Sequence, residues 1–148
     1  MNASRDPRKV SVVAVVAGVL VDIILTTLVQ AGLVMAFGAD AADAAAVERL
    51  SQSASFLGWA LAIGAVCTGV GGFVTAWLAN AARLAPGAGV RNALVMGIAS
   101  AGSGLLLALA TEGGPPVGYL ALGTILTVPA AALGGFLYSR LSRETGSI

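Results

Sequence analysis

Histidine is absent from the chain, and cysteine occurs once, at Cys67. The first absence removes the commonest metal ligand, a bis-histidine haem site and the usual proton shuttle of catalysis. The second excludes an intrachain disulfide framework and any site built from several thiolates. Charge is scarce too. Only 10% of the 148 residues are charged, against about 25% in a typical soluble domain. A net charge of +1 provides no broad basic face for nucleic acid. No GxSxG, HExxH or glycine-rich phosphate loop with its lysine occurs. The run "GTILTVPAAALGG" is glycine-rich but sits in an apolar segment, where it cannot cradle a phosphate. The expectation is a chain that is not an enzyme and carries no metal and no cofactor.

Long apolar runs take the place of chemistry. The chain is 57% hydrophobic with a mean hydropathy of +0.92, and a bilayer solvent is the simplest cause. A spanning helix needs about 20 mostly apolar residues, and four segments qualify: 10–37, 54–80, 92–111 and 117–138. The fold class read from this pattern is all-α: a polytopic membrane protein, a four-transmembrane-helix bundle forming a single domain over 1–148. Arg5, Arg8 and Lys9 precede the first run as they would in a signal peptide. A signal core spans only about 7–15 residues, however, so the run is read as a retained helix. The second loop carries Arg83 and Arg91, and the last segment ends in Arg140 and Arg143. The first loop has Asp40, Asp43 and Glu48 against Arg49, and the third has Glu112 and no base. Seven of the eight basic residues therefore fall on one side, which the positive-inside rule makes cytoplasmic. The expected location is the inner (cytoplasmic) membrane, multi-pass, with both termini inside. So strong a bias also argues against dual topology.

Short connections make the second, third and fourth helices antiparallel neighbours. The first loop is longer and alanine-rich. Asp40 could cap a short helix there, but a solvated connector is expected, because alanine-rich helices are marginal in isolation. Small residues recur at four-residue spacing: Gly64, Thr68, Gly72 and Ala76 on the second helix, Gly97 and Ala101 then Gly104 and Ala108 on the third, Gly123, Thr127, Ala131 and Gly135 on the fourth. Such faces let backbones approach closely in lipid, and Gly64, Gly71, Gly72, Gly97, Gly104, Gly134 and Gly135 are the expected packing positions. "GGFVTAWLANAAR" from Gly71 is echoed by "GGFLYSRLSRETG" from Gly134. Two readings stand: a parallel repeat of two helices per half about an axis along the membrane normal, or chance similarity among glycine- and alanine-rich helices. Pro129 interrupts the fourth helix, frees the Ile125 carbonyl and should kink it. Thr127 can bond the local backbone there.

Asp22 stands alone. In "AGVLVDIILTT" it is the one charge between Val10 and Phe37. Thirteen residues past Lys9, it lies about 20 Å along a helix axis, near the midplane of a core about 30 Å thick. A charge there costs roughly 2.5–3.5 kcal/mol on insertion scales. No lysine or arginine lies within a span to pair with it. Three states can accommodate it: a neutral carboxyl that glues helices together, a carboxylate holding a cation or a water file, or a carboxylate bonded to neighbouring hydroxyls. Gly18, Asp22, Thr26 and Gln30 form a stripe that should face protein or water rather than lipid. Partners expected on other helices are Cys67 and Thr68, Ser100 and Ser103, and Thr124 and Thr127. The candidate proton or cation site is accordingly Asp22, Thr26, Gln30 and Thr68.

Trp59, Tyr119 and Phe56 near one set of helix ends, with Trp77 and Tyr138 near the other, read as an interfacial aromatic belt. Cys67, deep in a helix, reads as a small inert apolar residue. The run "GGFVTAWLANAARLAPGAGVRNALVMG" resembles a pattern in uncharacterised small bacterial integral membrane proteins, where a Gly-Gly-aromatic helix end meets a short basic loop and another small-residue helix. That resemblance covers about 27 residues and implies the membrane class and no activity. The architecture is also similar to that of small multidrug-resistance transporters, with four helices and a buried acid in the first. Asp22 would take that acid's place. Here it is aspartate rather than glutamate, no aromatic cage for drug cations is evident, and the charge bias disfavours antiparallel dimers.

Two functions are expected from these features. One is a non-enzymatic membrane scaffold or accessory subunit acting through small-residue helix faces. The other is a proton- or cation-coupled channel or transporter working as an oligomer around Asp22. The expected partners are the lipid bilayer and either further copies of the chain or a larger membrane complex, and no nucleic acid.

Overall fold

A computed structural model describes residues 10–82, 87–110 and 116–145. Arg5, Arg8, Lys9, Arg83, Thr111 and Glu112, used above for loop charge and for the end of the third segment, lie outside them. Among the described residues the regular structure is entirely helical: α1 Val12–Ala36, α2 Ala44–Leu50, α3 Ala54–Ala81, α4 Ala88–Ala110 and α5 Val117–Thr145. Four of the five are long and apolar enough to cross a membrane. The shortest of these, α4, has 23 residues and so measures about 35 Å, which exceeds the hydrocarbon core of about 30 Å.

Local sequence explains the helix ends. The Ser11 hydroxyl accepts from Ala14 N–H at 3.2 Å and starts α1. Gly38, at φ +79°, stops it. The Ala39 N–H donates to the Val34 carbonyl and the Gly38 N–H to the Met35 carbonyl, and Ala39 packs on Val34, which is a Schellman close. The first loop departs from the expected solvated connector. It holds α2, capped by Asp43, which accepts from Ala45 and Ala46 N–H. Asp40 caps no helix and instead accepts from Ala42 N–H in a local turn. A short alanine-rich helix persists here because Val47 and Leu50 pack onto Val34, Phe56 and Ala60. Two segment ends also move. α4 begins at Ala88 rather than residue 92, and α5 runs on to Thr145 rather than stopping at 138.

α3 and α4 pack on each other, and each packs on both α1 and α5, while α1 and α5 make no extensive contact. The four long helices therefore form a rhombus with α3 and α4 on its short diagonal. Glycine governs the end where α1 and α4 begin and α3 and α5 finish. A Cβ on Gly18 would strike Thr75 and the Gly71 carbonyl, one on Gly72 the Ala131 backbone, and one on Gly134 the Gly69 backbone. Gly71, Gly97 and Gly135 also sit at close contacts, somewhat less tight, against Gly18 and Met96, Ala131, and Ala93 respectively. Val15, Met96 and Ala131 fill the core there. Asn92, 0% exposed, accepts from Ser11 N–H at 2.7 Å and donates to the Ala88 carbonyl at 2.8 Å. The start of α1 is thereby tied to α4. Asn80 donates to the Tyr138 hydroxyl at 2.9 Å, and Tyr138 meets Phe73 edge to face.

At the opposite end a second core of Val34, Phe56 and Ala60 joins α1, α2 and α3, with Tyr119 of α5 against it. Phe56 is buried and stacks edge-on with Phe37, so it is a core residue and not part of an aromatic belt. Trp59 and Trp77 are exposed. Val12, Val13, Val16, Leu20, Ile24 and Leu28 are exposed along α1, a surface suited to lipid rather than water.

Candidate functional site: a cavity floored by Asp22

Between the two cores the helices separate and leave a cavity of about 570 Å³. α1, α3, α4 and α5 all contribute walls. Asp22 lies at the boundary between tight packing and open space. Its Cβ faces Gly71 on one side, and the residue lines the cavity on the other. It is 6% exposed. Its Oδ1 accepts from the Thr68 hydroxyl of α3 at 3.0 Å and from the Thr26 hydroxyl, one turn along α1, at 3.4 Å. The absence of a Cβ on Gly18 and Gly71 lets α3 approach closely enough for Thr68 to reach the acid. Hydrogen bonds to a charged group contribute about 1.5–3 kcal/mol in water-soluble proteins, comparable with the insertion cost of the carboxylate.

The polar stripe on α1 thus divides. Gly18 belongs to the packed end, while Asp22, Thr26 and Gln30 line the cavity. Of the residues expected around the acid, Thr68 bonds it, and Ser100, Ser103, Thr124 and Thr127 form part of the same cavity wall. Cys67 is buried in α3 outside that wall. Gly71, Gly72, Gly97, Gly134 and Gly135 lie at close helix contacts, but Gly64 and Gly104 do not. A Cβ on either would meet nothing within 4 Å, and both line the cavity. Their expected packing role is corrected, because at their level the helices have already separated. Pro129 lies within a continuous α5. Thr127 bonds the local backbone at the Gly123 carbonyl rather than at the Ile125 carbonyl that the proline frees.

The hydroxyls present a consistent polarity. Thr124 and Thr127 donate to the Leu120 and Gly123 carbonyls one turn back, and Ser103 donates to the Ser100 carbonyl. Thr26 and Thr68 donate to Asp22. Each hydroxyl has one proton, so these five have lone pairs left to offer. Among the described residues the Ser100 hydroxyl oxygen has no hydrogen-bond partner. Exposed lining residues on α1 (Ile23, Thr27) and α4 (Leu105, Leu107) make the cavity a cleft rather than a closed chamber. Among the described residues no group of three or more cysteines, aspartates or glutamates could hold a metal ion.

Sequence reasoning did not single out Asn92, the clamp that closes the packed end, or the cavity-lining Leu107. An asparagine at a helix start reads as a boundary, and one leucine among "LLLALA" has no distinguishing mark. The protein these features define is a helical membrane bundle, packed at one end and cleft at the other around a single acid. No protein family, curated protein or solved structure matches the chain.

Proposed function

We propose that the chain is a small non-enzymatic carrier or channel of the cytoplasmic membrane that works by binding a proton or cation at Asp22. The observation that carries this reading is the acid itself, at the floor of a cavity and held by Thr68 and Thr26. Burying a carboxylate in the bilayer is costly, and hydroxyls alone would hold it in a closed interface. An adjoining cleft of about 570 Å³ suits a site that exchanges its occupant. On the positive-inside reading the packed end is cytoplasmic and the cleft faces the other side. The residues that line it come from α1, α3, α4 and α5 of the same chain. A two-plus-two repeat is compatible with it: Gly71 and Gly72, like Gly134 and Gly135, each place one glycine on the neighbouring helix of their own half and one on the other half.

The test is flux in liposomes. Asp22→Asn is expected to abolish cation- or proton-coupled flux while the protein remains folded and monodisperse. Wild-type flux in that variant would overturn the reading. Scaffolding remains a second reading, favoured by Gly32, Gly58, Gly102 and Gly118, which are exposed and have open space where a Cβ would lie. Native mass spectrometry of gently extracted protein separates the two, since a scaffold or accessory subunit is recovered in a heteromeric complex.

A further inference from the structure

The size and polarity of the cavity restrict what it can hold. A bare divalent ion calls for six or more oxygens at about 2.0–2.6 Å, which one carboxylate in an open cleft does not supply. A volume of about 570 Å³ falls in the range of small-molecule sites, about 300–1,000 Å³. The polar part of the wall is rich in acceptors. Asp22 is an acceptor when ionised, and Thr26, Thr68, Thr124, Thr127 and Ser103 have committed their protons elsewhere. Donors remain on Thr27, Gln30, Ser100 and Tyr119, but a carboxylate at the cavity floor repels an anion and favours a cation over a neutral carbonyl-bearing ligand. A quaternary ammonium has no N–H to give, and its usual host is an aromatic cage. The cavity has one aromatic residue, Tyr119, which packs against the core at the far end. Leu61, Leu105, Leu107, Leu120 and Leu126 provide apolar wall.

On the reading that Asp22 is the working site, we infer that its ligand is an organic ammonium ion that carries N–H groups and an apolar body: a protonated primary or secondary amine. The ammonium sits on Asp22 and directs its N–H groups at the carboxylate and the threonine lone pairs, and the body lies along the leucines. An alkylamine resembles the lysine side chain and is protonated at pH 7. Such a group is found both in free amines and in the head group of an aminolipid.

The experiment uses the full chain in phosphatidylcholine nanodiscs, titrated with 4-phenylbutylamine, its N,N,N-trimethyl derivative and 4-phenylbutanol. Binding is read by Trp fluorescence and by native mass spectrometry. The amine is expected to bind saturably and about tenfold or more tighter than either analogue. Asp22→Asn should remove that preference. Gly64→Leu, which fills open space and spares the acid, should abolish binding of all three, and it keeps the inference testable if Asp22→Asn fails to fold. Adding phosphatidylethanolamine distinguishes the sources of the same chemistry. Competition identifies the aminolipid and its absence a free amine, and the inference holds in both cases. Equal or tighter binding of the trimethyl derivative overturns the N–H inference while leaving the Asp22 site standing. Amine binding that is unchanged in both Asp22→Asn and Gly64→Leu overturns the inference and the site together.

Discussion

At the residue scale, Asp22 and the glycines beside it act as one unit. The acid is held because two helices come close enough for a threonine on one to reach an aspartate on the other, and that closeness needs residues without a Cβ. Thr68→Val should destabilise the bundle by about 1 kcal/mol, the usual value for an interhelical hydrogen bond in lipid, and thermal unfolding in detergent measures it. The glycines provide a sharper contrast. Gly72→Ala and Gly134→Ala drive a methyl into the backbone of the facing helix, so both should cost about 1–3 kcal/mol or more and reduce the yield of folded protein. Gly64→Ala enters open space and should leave thermal stability within about 0.5 kcal/mol of wild type. Small-residue spacing alone would rank the three alike. The sequence shows which residues share a helix face, but not whether that face meets another helix or a void. Asp22, by contrast, was legible at once, because a single charge in a long apolar run has no competitor.

At the scale of elements, the four long helices were legible because apolar length is a strong signal, and their ends less so. α4 begins earlier and α5 ends later than apolar counting suggests. The hydrocarbon core determines where apolar residues stop, but a helix continues through polar residues such as Arg91, Asn92, Arg140 and Arg143 while its backbone bonds are satisfied. α2 escaped expectation for a different reason. Its stability comes from a cap and from tertiary packing, neither of which appears in helix propensity. Asp43→Ala removes the acceptor for two backbone N–H groups and should cost the short helix about 0.5–2 kcal/mol, seen as faster amide hydrogen exchange over 44–50. Asn92→Ala should release the start of α1, with faster exchange at Ala14 and Val15 and little change at the far end of the helix.

At the scale of the molecule, packing is unevenly distributed along the bundle. Tight glycine contacts, the Asn92 clamp and the Asn80–Tyr138 bond gather at one end, and the cleft occupies the other half. This asymmetry leads to a topological prediction. In sealed vesicles of native orientation, with Cys67 replaced by alanine, a cysteine at Ser51 should react with a membrane-impermeant maleimide from outside. One at Ser142 should react only after the vesicles are opened. The reverse pattern would invert the charge-based orientation. The separation of the helices at one end could not be read from the sequence, because glycine and alanine fill both halves of each helix, and only the facing backbones decide where contact ends.

The distance along the chain between Asp22 and Thr68 also has a consequence for biogenesis. Forty-six residues separate the acid from the hydroxyl that holds it. At a synthesis rate of about 5–20 residues per second, the acid waits about 2–9 s for its partner to be made. Over that interval the Thr26 hydroxyl of its own helix can bond the acid but Thr68 cannot, so the bond between helices is added as a step of assembly after α1 has been made.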